Sequence, residues 1–363
     1  MSAKLINNSG TFGCIYHPGI PCNPNEIVGP EYATKIHSNT NQSIVLNEIA
    51  ISNKIKENIP DYADYFSPVL DACKVNLANV DAGKCKFIKN KTPVQFVSTK
   101  MKFIKGQSLL KHVKQLTNMK AYKEVVTLYD KICLAVEKLS EIHVVHFDLK
   151  SDNVIVTKSG TPIIIDFGIS MDMDNVIASI DKGSVSKKAS VSNLSLSNSN
   201  VSKSNINISM INPSVSRKSE SSLSAFPQLL DYSFYTYNTD YSSWCVEIVL
   251  ISFIVQKQKP REMITSTQIM NIFDEVMRKN KFANKNYLKD AVILYRANFK
   301  LNIADKFNNV ENVKLLSHLI TKYRKWDIYS ATILFIKMLE QIKQFPSDAH
   351  KEIIIHNLGF VES

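Results

Sequence analysis

The six cysteines in these 363 residues, at positions Cys14, Cys22, Cys73, Cys85, Cys133 and Cys245, include no Cys-x-x-Cys pair. That spacing indicates neither a zinc site nor a disulfide framework, and it favours reduced thiols in an intracellular, cytoplasmic compartment. Long apolar runs are also missing. The longest, Val246 to Val255, carries Glu247 and falls well short of the roughly 20 residues a membrane-crossing helix needs. No N-terminal signal peptide is expected. Acidic residues are in deficit, with 33 Asp and Glu against 44 Lys and Arg, for a net charge of +11. The excess favours acidic surfaces as encounter partners, but it is dispersed and forms no recognisable nucleic-acid motif. With 44% hydrophobic residues, the chain can bury a substantial core and build one large unit with something extra.

One stretch carries concentrated chemistry. His146-Phe147-Asp148-Leu149-Lys150-Ser151-Asp152-Asn153 is followed, thirteen residues after Asn153, by Asp166-Phe167-Gly168. Taken singly, each is an ordinary turn or helix cap. Together they set out the groups that phosphoryl transfer requires. Asp148 can orient a substrate hydroxyl, Lys150 can neutralise the moving phosphoryl group, and Asn153 with Asp166 can hold Mg²⁺ or Mn²⁺. The short β-rich runs Val154 to Thr157 and Pro162 to Ile165, joined by a Lys158-Ser159-Gly160-Thr161 turn, predict a hairpin between the two groups. In these motifs the sequence resembles the eukaryotic-type protein kinase superfamily. Lys150, two residues after Asp148, resembles the serine/threonine branch.

The resemblance implies a nucleotide site before residue 105. Ser9-Gly10-Thr11-Phe12-Gly13-Cys14-Ile15-Tyr16 resembles the later part of the family's phosphate-covering loop, with Asn8 in place of its first glycine. Tyr32-Ala33-Thr34-Lys35 resembles the strand whose lysine bridges the α- and β-phosphates, and Ala33 would cover the adenine. Glu48, on a helix predicted from about Gln42 to Glu57 and starting near a possible cap at Asn41, is the expected partner of Lys35. Strands are predicted over 67–77 and 93–103, with a polar connection over 78–91. Met101 to Leu109 resembles the segment joining the two lobes, with Met101 as gatekeeper and backbone groups of Lys102 and Ile104 on the adenine edge. The expected ATP-binding set is thus Ile6, Asn8, Gly10, Phe12, Gly13, Ile15, Ala33, Lys35, Glu48, Met101, Lys102, Ile104 and Ile155, with Asp148 and Lys150 catalytic and Asn153 and Asp166 metal-binding.

The implied fold is α+β, a two-lobed protein kinase-like arrangement with a small β-rich N-lobe over 1–104 and a mainly helical C-lobe over 105–363. Within the latter, Val125, Leu128, Ile132, Val136, Leu139 and Ile142 predict a buried helix over 121–142. Residues 179–224 hold 17 serines in 46 positions, with six Lys or Arg against two Asp or Glu, and are expected to be a disordered insertion in the activation segment. Cys245-Val246-Glu247 reads as a degenerate form of the family's Ala-Pro-Glu. Two registers compete for the buried acid that anchors the catalytic loop: Asp327 in Trp326-Asp327-Ile328-Tyr329-Ser330, which is preferred, and Asp240 with Phe226-Pro227-Gln228. Phe147 stands where many family members carry an arginine that receives an activation-loop phosphate. That departure and the divergent ending are similar to kinases of large cytoplasmic DNA viruses, with a viral factory or virion as the implied location. The implied activity is transfer of the γ-phosphate of ATP to Ser or Thr of protein substrates. A small-molecule kinase of the aminoglycoside or choline type and a pseudokinase binding module remain as alternatives.

Overall fold

The computed structural model describes residues 3–7, 13–22, 27–37, 42–75, 85, 96–117, 120–183 and 228–359. Asn8, Gly10, Phe12, the Asn41 cap, the connection over 78–91 apart from Cys85, and the Phe226-Pro227 pair lie outside the described residues. So does the Ser-rich tract beyond Gly183. The described residues divide into two units, one formed by those up to Lys105 together with Ile165–Ile169, the other by Gly106–Ile164 and the described residues from Ser170 onward.

The first unit is built on a five-stranded antiparallel sheet in the order β1-β2-β3-β5-β4. Its strands are β1 (Lys4–Asn7), β2 (Gly13–His17), β3 (Tyr32–His37), β4 (Val69–Val75) and β5 (Phe96–Lys102), with helix α1 (Gln42–Asn58) between β3 and β4. Two buried clusters hold it together. Cys14, Tyr16, Ile20, Ile36, Val75, Cys85 and Phe96 form one. Val45, Ile49, Val69, Ala72 and Val97 form the other, so that α1 seals its side of the sheet. Each such buried aliphatic or aromatic side chain stabilises by about 1.5–3 kcal/mol relative to exposure. Gly13 is set by close approach: a Cβ there would collide with the carbonyl oxygen of Ile36 on the neighbouring strand.

The cysteines depart from the expectation. Cys14 is bonded to Cys85 and Cys22 to Cys73, leaving Cys133 and Cys245 as free thiols. The pairs are separated by 71 and 51 residues. Pairing at such distances depends on which strands the sheet brings together and leaves no local spacing signature. A loop of either size restricts the unfolded chain by about 4 kcal/mol in the chain-entropy treatment. The bonds also remove the argument from reduced thiols to an intracellular compartment. No described helix is long and apolar enough to cross a membrane.

The second unit is mainly helical. It contains β6 (Gly106–Ser108), α2 (Leu109–Val113), α3 (Ala121–Glu141), β7 (Val144–Val145), β8 (Val154–Thr157), β9 (Pro162–Ile164), β10 (Met171–Asp172), α4 (Met173–Gly183) and α5 (Gln228–Ser233). It continues with α6 (Val246–Lys257), β11 (Met263–Ile264), α7 (Ser266–Lys279), α8 (Lys289–Phe299), β12 (Val310–Glu311), α9 (Asn312–Ile320), α10 (Trp326–Gln341) and α11 (Asp348–Asn357). The predicted hairpin is present as β8 and β9, joined to β6 in a three-stranded sheet. The apolar face of α3 buries Val125, Leu128, Ile132, Val136 and Leu139. It packs on α10, where the Tyr129 and Phe335 rings stack at 4.4 Å and the Tyr129 hydroxyl meets Thr332 Oγ1 at 3.0 Å. A capping box of Thr265 and Gln268 starts α7. Ser179 and Ile180, counted above in the Ser-rich insertion, belong to α4: Ile180 is buried, and Ser179 Oγ bonds the Val176 carbonyl at 2.7 Å. A serine count blurs this boundary, because the helix face is set by Met173, Val176 and Ile180. A β-sheet N-terminal region followed by a helical C-terminal region is the α+β composition of a protein kinase-like fold.

Candidate active site

In the first unit the pairing of β2, β3 and α1 brings charged groups into a buried cluster. Lys35 sits on the central strand β3, opposite Ile15 on one side and Thr99 on the other. Its Nζ lies 2.7 Å from Asp166 Oδ1 and 3.4 Å from Glu48 Oε2. Glu48 was the expected partner; Asp166 is the nearer one. Burial by itself pulls the Lys35 ammonium down, but the opposing charges of Glu48 and Asp166 outweigh it and hold the group above its ordinary range. Burial and the Asp166 charge push Glu48 up against the pull of Lys35. Asp166 has φ of 67°, a left-handed conformation that costs of order 1–3 kcal/mol and persists where surrounding contacts over-determine it. Those contacts include the ion pair with Lys35, the Asn47 Nδ2 bond to the Gly168 carbonyl at 3.2 Å, and Phe167 edge-on to Phe66.

His37, two residues along β3, was not anticipated as part of this cluster. It is 1% exposed, with Nε2 at 2.9 Å from Thr99 Oγ1 and 3.9 Å from Glu48 Oε2. Burial and then the Lys35 charge push it well below the usual 6.5. The folded protein therefore refuses a proton that the unfolded chain accepts. The stability this contributes is complete above 6.5 and is lost as the pH falls, with a limiting slope of about 1.4 kcal/mol per pH unit. Glu48, pushed up, works in the opposite sense, so the histidine's share is read by difference. Urea titrations of the wild type and His37→Gln between about pH 7 and pH 5 are expected to show a shallower acid loss in the variant. Equal slopes would remove His37 from the account.

Among the described residues, the other nucleotide-binding candidates of this unit lie on the same sheet, apart from Ile104, which follows β5. Ala33 is buried on β3 and faces Met101 across the β3–β5 ladder. The Lys102 carbonyl accepts from Ser67 Oγ at 3.0 Å, and Phe103 N donates to the Glu31 carbonyl at 2.7 Å, which fixes the chain just before Ile104. Ile15 is half-buried on β2, and Ile6 on β1 is half-exposed.

In the second unit the catalytic candidates converge on one carboxylate. Asp148 Oδ2 accepts from Lys150 Nζ at 2.6 Å and from Asn153 Nδ2 at 3.1 Å, and the same amide donates to the Asp148 carbonyl at 2.9 Å. With its nitrogen committed in this way, Asn153 has its carboxamide oxygen to offer a metal. Ile155 follows on β8, paired with Ser108 and Ile163. The loop is strapped from a distant helix. Asp327, at the start of α10, accepts from His146 N at 2.5 Å and Phe147 N at 3.1 Å. This settles the register: Asp327 anchors the loop, whereas Asp240 pairs with Lys279 at 3.2 Å. Burial pushes the Asp327 carboxyl up, opposed by the charge of His146 and the two backbone N–H groups. Phe147 has φ of 67° and is 2% exposed. Its ring packs at 4.9 Å from Trp244 and edge-on to Phe234, and Trp244 Nε1 donates to its carbonyl at 3.0 Å. An apolar cage thus fills the place where a phosphate-receiving arginine would stand.

Two residues at Asp148 went unrecognised in the sequence. Tyr241 donates its hydroxyl to Asp148 Oδ1 at 2.6 Å, and burial followed by the Asp148 charge pushes the Tyr235 hydroxyl up. Nothing local in the sequence distinguishes these tyrosines from the others. Among the described residues, no cluster of three or more His, Cys, Asp or Glu could hold a metal unaided.

Comparison with known proteins agrees with this chemistry. Residues 9–187 match the family model for the protein kinase domain. Two curated relatives, the serine/threonine-protein kinases PknD of Chlamydia trachomatis serovar D and serovar A, are each 37% identical over 78 residues. The similarity covers 19% of this chain and only 8% of those proteins. The matched segment, the fold and the two clusters together support a protein kinase domain of the eukaryotic-type superfamily over residues 9–187.

Proposed function

We propose that this chain is a serine/threonine protein kinase that transfers the γ-phosphate of ATP to a protein hydroxyl. The observation that carries the reading is the Asp148 carboxylate, held by Lys150 and Asn153 on a loop strapped by Asp327. Asp148 orients the acceptor hydroxyl and takes its proton. Lys150 neutralises charge on the moving phosphoryl group. Lys35, held by Glu48, binds the α- and β-phosphates. Ile6, Ile15, Ala33, Met101, Lys102, Ile104 and Ile155 surround the adenine, and Asn8, Gly10, Phe12 and Gly13 cover the phosphates. Asn153 and Asp166 would hold Mg²⁺ or Mn²⁺, which would supply neutralisation of the phosphate oxygens. The preference for Ser or Thr rests on Lys150 and on the short likeness to PknD. The likeness to kinases of large DNA viruses rests on Phe147 and the divergent ending. The net charge of +11 favours acidic partners.

Incubation with γ-labelled ATP and Mg²⁺, offering generic basic proteins and small alcohols in parallel, is expected to label serine or threonine in the proteins. Label on the alcohols alone would indicate a small-molecule kinase. Nucleotide binding without transfer to either would indicate a binding module.

A further inference from the structure

Three ammonium groups of the helical unit gather around a single ring. Lys337 Nζ lies 4.8 Å from the Phe282 centroid, Lys281 Nζ 5.0 Å and Lys285 Nζ 5.9 Å. The carboxylate beside them, Glu340, is taken by Lys285. Among the described residues, Lys281 and Lys337 form no ion pair or hydrogen bond. The attraction of a cation to an aromatic face is modest, and it does nothing to relieve the repulsion among like charges that share the ring. Lys337 registers that repulsion. It is half-buried on α10, and burial, then the charge of Lys281, push its ammonium below the ordinary range against the pull of Glu340.

The chain holds this arrangement in place. Phe282 is buried, and its N–H and that of Ala283 donate to Asn280 Oδ1 at 3.1 and 3.2 Å. Asn280 Nδ2 donates in turn to the Tyr329 hydroxyl on α10 at 2.8 Å, and Asn284 Nδ2 donates to the Met277 carbonyl at 2.7 Å. The loop after α7 is thus tied to both helices, and Lys281 and Lys285 start from fixed backbone. Like charges kept together in this way call for a counter-ion that these side chains do not supply.

The local charge indicates which one. With Lys285 matched by Glu340, two ammonium charges are left over. A phosphate group carries about −1.5 to −2 near neutral pH and three strong acceptor oxygens, so a single group can meet both, whereas a carboxylate balances one. Lysine binds phosphate as a point charge with three rotatable donors. Tyr287, on the turn leading into α8, adds a neutral donor: burial and then the Glu340 charge push its hydroxyl up to about 12, so it keeps its proton.

We propose that Lys281 and Lys337, backed by Phe282, bind a phosphate dianion, either free or carried on a phosphorylated Ser or Thr side chain of a protein. The kinase reading above uses none of these residues and can fail without touching this site.

The test is calorimetric titration of the full chain, at constant ionic strength, with inorganic phosphate, a phosphoserine peptide, the unphosphorylated peptide and acetate. Expected is saturable binding of the first two alone, weakened about tenfold or more by Lys337→Met and by the exposed Lys281→Met. Tighter binding of the phosphopeptide than of inorganic phosphate identifies a protein-borne group, and the reverse or equality identifies the free ion. Melting curves in chloride give a second readout: Lys337→Met, relieved of an unmatched half-buried charge, is expected to melt above the wild type. Absence of saturable phosphate binding, equal binding of acetate, or phosphate binding unchanged in both variants would overturn the site. So would a Lys337→Met protein that melts below the wild type, because the chain itself would then be compensating the ammonium.

Discussion

Asp166→Ala is expected to lower phosphoryl transfer by at least about a thousandfold, or about 4 kcal/mol in barrier. On the proposed reading the substitution removes an oxygen donor that would hold the metal, and it strips Lys35 of its nearer partner, the carboxylate at 2.7 Å. Lys35 keeps Glu48 at 3.4 Å, so the buried ammonium is not left without a counter-charge, and the fold should survive. Asp148→Asn is expected to reduce kcat by orders of magnitude while leaving nucleotide affinity largely intact, since its contacts are to Lys150, Asn153 and Tyr241. Steady-state kinetics alongside nucleotide-binding titrations would check both, with circular dichroism to verify folding. Wild-type turnover in Asp166→Ala would refute the catalytic assignment.

The second large effect falls on stability. Asp327→Ala leaves the N–H groups of His146 and Phe147 buried without an acceptor. Each such group costs about 1–3 kcal/mol, so a loss of about 2–6 kcal/mol is expected in urea denaturation. Asp327→Asn should fall between the variant and the wild type: its single oxygen can serve one of the two donors while its amide nitrogen faces the other. A loss below about 0.5 kcal/mol in the alanine variant would show that the loop finds another acceptor.

The runs His146–Asn153 and Asp166–Gly168 and the acid Asp327 that binds the first of them were legible as contiguous motifs, and the structure shows their contacts. The helix over 121–141 and the hairpin over 154–164 were legible from apolar periodicity and a turn. What stayed hidden depends on long-range placement. The Cys14–Cys85 and Cys22–Cys73 bonds follow from the order of strands in the sheet. Tyr241 reaches Asp148 across 93 residues. Its sequence neighbourhood, Asp240-Tyr241-Ser242-Ser243, reads as a polar loop until Lys279 and Trp244 are seen to hold it. Nothing in the sequence marks His37, because the groups it meets, Glu48 and Thr99, lie on other elements. The start of the Ser-rich tract was misjudged for a simpler reason: Ser179 lies on a helix whose buried residues outrank composition.

The bond from Asp327 to the catalytic loop spans 181 residues, and this has a consequence for biosynthesis. The loop leaves the ribosome early, but its acceptor carboxylate is not translated until α10 is made. At roughly 5–20 residues per second, the interval is on the order of ten to forty seconds. Throughout that interval the nascent chain holds Asp148, Lys150 and Asn153 without the strap that orders them. The order that this carboxylate gives the His146–Asn153 loop thus arrives only once α10 has emerged and folded. A transcript cut short before residue 327 would yield a polypeptide that carries Asp148, Lys150 and Asn153 without the carboxylate that binds their loop.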